Sequence, residues 1–96
     1  MAKAYWICLY RSISKPEAVA EYAKLAGPAI QSGGGRFLAR GIAAKTYEEG
    51  IAQRTIVIEF DSVQQATATF EGDAYQAALR VIEGAAERDI RIIEGV

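Results

Sequence analysis

Four short runs of branched and aromatic side chains are interrupted by just two stretches with the apolar spacing of a helix, in the order strand, helix, strand, strand, helix, strand. Ala4 to Arg11 is the first strand. Ser14 and Glu17 then make a Ser-x-x-Glu capping box, with Pro16 in the first turn and apolar residues at Val19, Tyr22, Ala23, Ala26 and Ile30. Gly27-Pro28 is expected to kink the end of this helix, and Gly33-Gly34-Gly35 to stop it. Arg36 to Tyr47 and Ile51 to Phe60 read as a hairpin around Glu48-Glu49-Gly50. Ser62 and Gln65 open the second helix, with Val63, Ala66, Thr67 and Phe70 on its apolar face. Gly72 breaks it, Asp73 caps a second segment carrying Tyr75, Ala78, Leu79 and Ile82, and Gly84 ends that segment. Asp89 to Glu94 is the last strand.

This order specifies an α+β fold: one ferredoxin-like βαββαβ domain over residues 1–96, a four-stranded sheet with both helices on one face. Right-handed crossovers set the first and third strands in the centre, with the fourth and second at the edges. Two helices cover one side of such a sheet, so the other side must be wet or must meet something. The first strand is apolar on both faces, Tyr5, Ile7 and Leu9 on one and Ala4, Trp6, Cys8 and Tyr10 on the other. A chain of 96 residues that is 51% hydrophobic carries more apolar surface than a lone monomer of this size hides. The expected partner is therefore a second copy laid face to face on the sheet, a homodimer closed like a barrel.

Several function classes are excluded by composition. The chain has no histidine, which removes His-dependent triads and imidazole acid/base chemistry, and its single cysteine removes an internal disulfide and multi-Cys metal clusters. No cofactor is implied. A net charge of -1 and a third strand offering Thr55, Val57 and Glu59 argue against nucleic acid as a partner. The early apolar run Ala4 to Tyr10 falls short of the roughly 18 residues of a membrane helix and lacks a signal-peptide cleavage pattern, so a cytoplasmic location is expected. The triple glycine follows a helix and leads into a strand, the reverse of a phosphate-binding loop.

Tyr5-Trp6-Ile7, Gly35-Arg36-Phe37-Leu38-Ala39-Arg40-Gly41, Val57-Ile58-Glu59-Phe60, Ala74-Tyr75-Gln76 and the closing Glu94-Gly95-Val96 together resemble the bacterial domain-of-unknown-function family 1330. The resemblance runs along essentially the whole chain. It implies a dimeric α+β barrel from a superfamily that also holds cofactor-free monooxygenases and lactone isomerases. It supplies no settled activity and no catalytic residue. The chain departs from the pattern at Ile42, where the family has a second glycine, and at Asp73-Ala74, where it has Ser-Pro.

The residues themselves suggest one reactive constellation. Arg40 and Glu59 fall on neighbouring strands, and a charge within an Ile-rich strand needs a partner. The functional expectation is a pocket for a small organic molecule with Arg40 stabilising an anion, Glu59 as base and Tyr75 as hydrogen-bond donor, running cofactor-free isomerisation or oxygenation. The structural expectation is an ion pair across the hairpin. Trp6, Tyr10, Tyr22 and Tyr75 are expected either to ring a small cavity or to fill the core. Glu87-Arg88-Asp89 reads as a solvated turn. The alternative to an enzyme is a non-catalytic ligand-sensing or assembly module.

Overall fold

The computed structural model describes residues 2–96. Its elements run β1 (Ala4–Ile13), α1 (Pro16–Ser32), β2 (Arg36–Ile42), β3 (Arg54–Phe60), α2 (Val63–Glu71), α3 (Asp73–Ile82) and β4 (Ala86–Glu94). The strands form one sheet in the order β2-β3-β1-β4, every neighbouring pair antiparallel, so β1 and β3 are central as expected. Among the described residues no helix is long and apolar enough to cross a membrane.

Strand alternation sorts side chains to the two faces. Ala4, Trp6, Cys8 and Tyr10 of β1 and Ile56, Ile58 and Phe60 of β3 are buried beneath the helices. The helices return Val19, Tyr22, Ala26 and Ile30 from α1 and Tyr75, Ala78 and Ile82 from α3. Trp6 is the hub of this layer. Its ring meets Tyr75 edge-on at 4.8 Å, lies 5.3 Å from Phe70 and stacks at 6.0 Å on Phe60. Burial of one such side chain as large as Phe60 contributes about 3 kcal/mol.

Local signals were followed where no tertiary partner competed. Ser62 caps α2, accepting a hydrogen bond from the Gln65 backbone N–H at 3.1 Å. Gly72 turns extended at φ -73°, ψ 158° and separates α2 from α3. It is also the cap of α3, so Asp73 is that helix's first residue rather than its cap. The expected Ser14 box does not form. Lys15 is the cap of α1, while Ser14 Oγ donates to the carbonyls of Ala85 (3.1 Å) and Gly84 (3.3 Å), tying the start of α1 to the turn before β4. Helix α1 continues through Pro28 to Ser32. At its end Gly34 takes φ 96°, a left-handed conformation, and a Cβ on Gly35 would stand 2.6 Å from Ile30 Cγ2 and 2.8 Å from Phe60 Cζ.

All four strands differ from expectation in length: β1 runs on to Ile13 rather than Arg11, β2 ends at Ile42 rather than Tyr47, β3 starts at Arg54 rather than Ile51, and β4 at Ala86 rather than Asp89. A further difference concerns register. In the β2–β3 pairing Phe37 faces Ile58 but Ala39 faces Val57, so Leu38 is an extra residue, a β-bulge. Beyond it Arg40 faces Ile56 and therefore lies on the helix side of the sheet.

Candidate functional site

On the helix side, under α1, the sheet leaves a cavity of about 40 Å³. Its floor is Trp6, Cys8, Tyr10, Ile56 and Ile58, its roof is Tyr22, Ala26, Gly27 and Ile30 of α1, and Phe37, Arg40 and Arg54 close the β2–β3 side. No carboxylate lines it. Tyr10 Oη and Arg54 Nε are buried without a hydrogen-bond partner among the described residues. The Arg40 guanidinium lies over the Phe37 ring at 4.5 Å.

A chain of polar contacts links the roof residue Tyr22 to α3 and β4. Arg88 of β4 donates from Nη1 to Tyr22 Oη at 3.0 Å, and Tyr22 Oη and Tyr75 Oη share a hydrogen bond at 2.6 Å. The Arg88 guanidinium also lies 4.8 Å from the Tyr22 ring centre, 5.5 Å from that of Tyr10 and 3.8 Å from Cys8 Sγ. Burial pushes the Tyr75 phenol far above its ordinary range, and Tyr22 adds to the effect. Burial likewise raises Tyr10 and Cys8 against the opposing pull of Arg88. Burial is the largest single influence on Arg88 and works against its charge, but Tyr22, Tyr75 and Cys8 together act the other way and leave the guanidinium held above its ordinary range. At neutral pH the Tyr10 and Tyr75 phenols and the Cys8 thiol are thus neutral donors, and Arg88 is a cation. The lining can bind and hydrogen-bond; it contains no group that takes a proton at neutral pH.

The three residues singled out from the sequence are not brought together. Arg40 lines the cavity. Tyr75, 1% exposed, is outside the lining and reaches it through Tyr22. Glu59 is on the opposite face of the sheet, where it accepts from Arg36 Nε at 3.0 Å and from Tyr5 Oη at 3.4 Å. The expected Arg40–Glu59 pair is therefore corrected to Arg36–Glu59: the extra residue at Leu38 rotates Arg40 away from the face it would otherwise share with Arg36. Trp6, Tyr10 and Tyr22 do line a cavity as one of the two expectations had it, while Tyr75 fills core. Arg54 and Arg88 were missed. Each shares a strand face with a core isoleucine two residues on, Ile56 and Ile90, and that parity was the available signal. Arg88 belongs to β4 and not to a solvated turn.

The open face is apolar at its centre and charged at its rim. Ile7 sits between Val57 and Arg91, and Tyr5 between Glu59 and Ile93. Arg36 also reaches Asp61 at 3.0 Å, and hydrogen bonding to it holds the Asp61 carboxyl below the usual range. Arg91 at 2.9 Å and Arg11 at 3.5 Å do the same for Asp89. Among the described residues no group of three or more His, Cys, Asp or Glu is placed to hold a metal ion.

Solved structures share this fold. A protein of unknown function from Rhodopseudomonas palustris superposes with a TM-score of 0.77 at 16% identity, over 99% of this chain and 83% of that one. A dimeric ferredoxin-like protein of unknown function from Thermobifida fusca gives 0.69 at 18% identity, over 98% and 92%. A proposed antibiotic biosynthesis monooxygenase from Nitrosomonas europaea gives 0.66 at 12%, over 99% and 90%. At these identities the likeness is one of fold: ferredoxin-like, α+β. No curated protein matches the chain. The family model described as a domain of unknown function, DUF1330, matches residues 3–96, and the chain belongs to that family.

Proposed function

We propose that the protein works in the cytoplasm as a homodimer, two copies laying their open sheet faces together, and that each protomer binds or transforms a small organic molecule in the cavity under α1. The observation that carries the ligand reading is the pair of buried, unpartnered polar atoms, Tyr10 Oη and Arg54 Nε, on two residues of a mostly apolar lining. Native folds rarely leave such atoms unsatisfied, and a bound polar group satisfies them. The dimer reading is supported by the apolar centre of the open face and by the description of the Thermobifida fusca protein as dimeric.

Of the three residues first assigned to catalysis, Arg40 keeps a direct role, as the group that stabilises a bound anion. Tyr75 is a positioning residue acting through Tyr22. Glu59 is on the face proposed for dimerisation and is its charged rim, held by Arg36. The missing base in the lining favours a second reading, a non-catalytic ligand-sensing module, over proton abstraction. The two parts are tested together by sedimentation and native mass spectrometry. A species of twice the chain mass, retaining a small molecule, is expected for the unaltered protein. Ile7→Lys, which puts a charge at the centre of the open face, is expected to give single chains. Compact single chains of the unaltered protein at micromolar concentration would refute the dimer.

A further inference from the structure

Charge is divided between the two sides of this sheet. The ion pairs of the strands lie on the open side and its rim, where Glu59, Asp61 and Asp89 engage Arg36, Lys3, Arg91 and Arg11. The helix side carries Arg40, Arg54 and Arg88, and no carboxylate lies within 4.0 Å of any of the three among the described residues. Their places follow from register. Arg88 faces Tyr10 directly, and extending the β1–β3 register by one residue sets Tyr10 beside Arg54. Arg40 faces Ile56, which makes it the diagonal neighbour of Arg54 on the same face, about 7 Å away. Two cations thus flank Tyr10 in the sheet, and a third stands beside Arg54 on the β2–β3 side of the cavity. Like charges so arranged repel unless an anion lies between them, and the partial burial of Arg54 and Arg88 weakens the screening that water supplies to the exposed Arg40.

We infer that the cavity receives the acid group of a small monocarboxylate, bound by Arg54 and Arg40 with Tyr10 Oη donating, its short apolar chain lying against Ile56 and Phe37. This rests on the ligand reading above and adds the charge and class of the ligand. The cavity volume sets the scale: about 40 Å³ takes an acid group and one or two carbons, well below the roughly 150 Å³ that holds a benzene ring. The aromatic roof and floor are neutral, so recognition of charge falls to the guanidiniums, which accept a carboxylate through two parallel N–H donors.

The test compares acetate with acetamide, matched in shape and different in charge, titrated into the unaltered protein and followed by NMR at the indole N–H of Trp6, the sole tryptophan, and at the Ile56 amide. Acetate is expected to shift both signals and to bind about tenfold tighter than acetamide, with the advantage lost in Arg54→Gln. Should Arg54→Gln fold poorly, Arg54→Lys keeps the charge without the two-pronged donor and is expected to bind acetate more weakly. Equal binding of acid and amide at these signals would overturn the anion assignment and leave the cavity as a ligand site. No shift with either compound would overturn both, as would acetate shifts confined to residues outside the cavity.

Discussion

Replacing Tyr22 by Phe removes one oxygen, as does replacing Tyr75 by Phe, yet the structure makes the first far more costly. Tyr75 is 1% exposed and its hydroxyl has one partner, Tyr22. Tyr22 has two, Tyr75 and Arg88. Tyr75→Phe deletes a single hydrogen bond and leaves Tyr22 with Arg88, a loss of about 1 kcal/mol. Tyr22→Phe strands the Tyr75 hydroxyl in the core, at about 2 kcal/mol, and takes a hydrogen bond from Arg88, about 1 more. The double variant has no stranded phenol, so it keeps the Arg88 loss and escapes the greater cost of an unpaired buried hydroxyl, for a total near 2 kcal/mol. The second substitution is thus expected to restabilise the first. Urea melts of the four proteins at one fixed concentration measure this, since association would otherwise move the midpoints. In heat, about 1 kcal/mol in a domain of this length is about 5 °C. Equal single losses that simply add, or a double variant weaker than Tyr22→Phe, would refute the asymmetric network.

Burial that raises the Cys8 thiol keeps it protonated at pH 8, so alkylation by iodoacetamide is expected to be slow in the folded protein and to reach the free-thiol rate on adding denaturant. Rapid labelling in the native state would show that Arg88 and not burial governs the thiol. Pro28 is exposed and interior to α1, where it withholds an N–H from the helix. Pro28→Ala is expected to stabilise by about 2 kcal/mol, the helical gain less the freedom returned to the unfolded chain, and thermal melts check it. A loss of stability would mean that the proline ring is shaping the cavity roof.

The strand and helix order was legible because each apolar run holds one period over its whole length, and the break at Gly72 because glycine there ends the stripe. The cavity chemistry was legible only in part. Counting by twos along β2 puts Arg36, Leu38 and Arg40 on one face, and an extra residue leaves no mark in such a count. Arg40 was therefore matched with Glu59, although the two face opposite ways. Ser14 failed as a cap for a different reason: carbonyls at Gly84 and Ala85, some seventy positions along the chain, took its hydroxyl. Arg88 was hidden by its neighbours, since Glu87 and Asp89 make it look like part of a solvated turn when alternation turns it inward.

The bulge at Leu38 gives β2 two arginines with different destinations, Arg36 on the open face and Arg40 on the helix side. Because the bulge absorbs the extra position, deleting Leu38 would leave Ala39 opposite Val57 and Arg40 opposite Ile56, straightening the strand while the charge keeps its side of the sheet. The face taken by Arg40 is thus set by its partner on β3 and not by its distance along β2 from Arg36, and a strand of this kind tolerates a change of length at the bulge without exchanging the charges of its two faces.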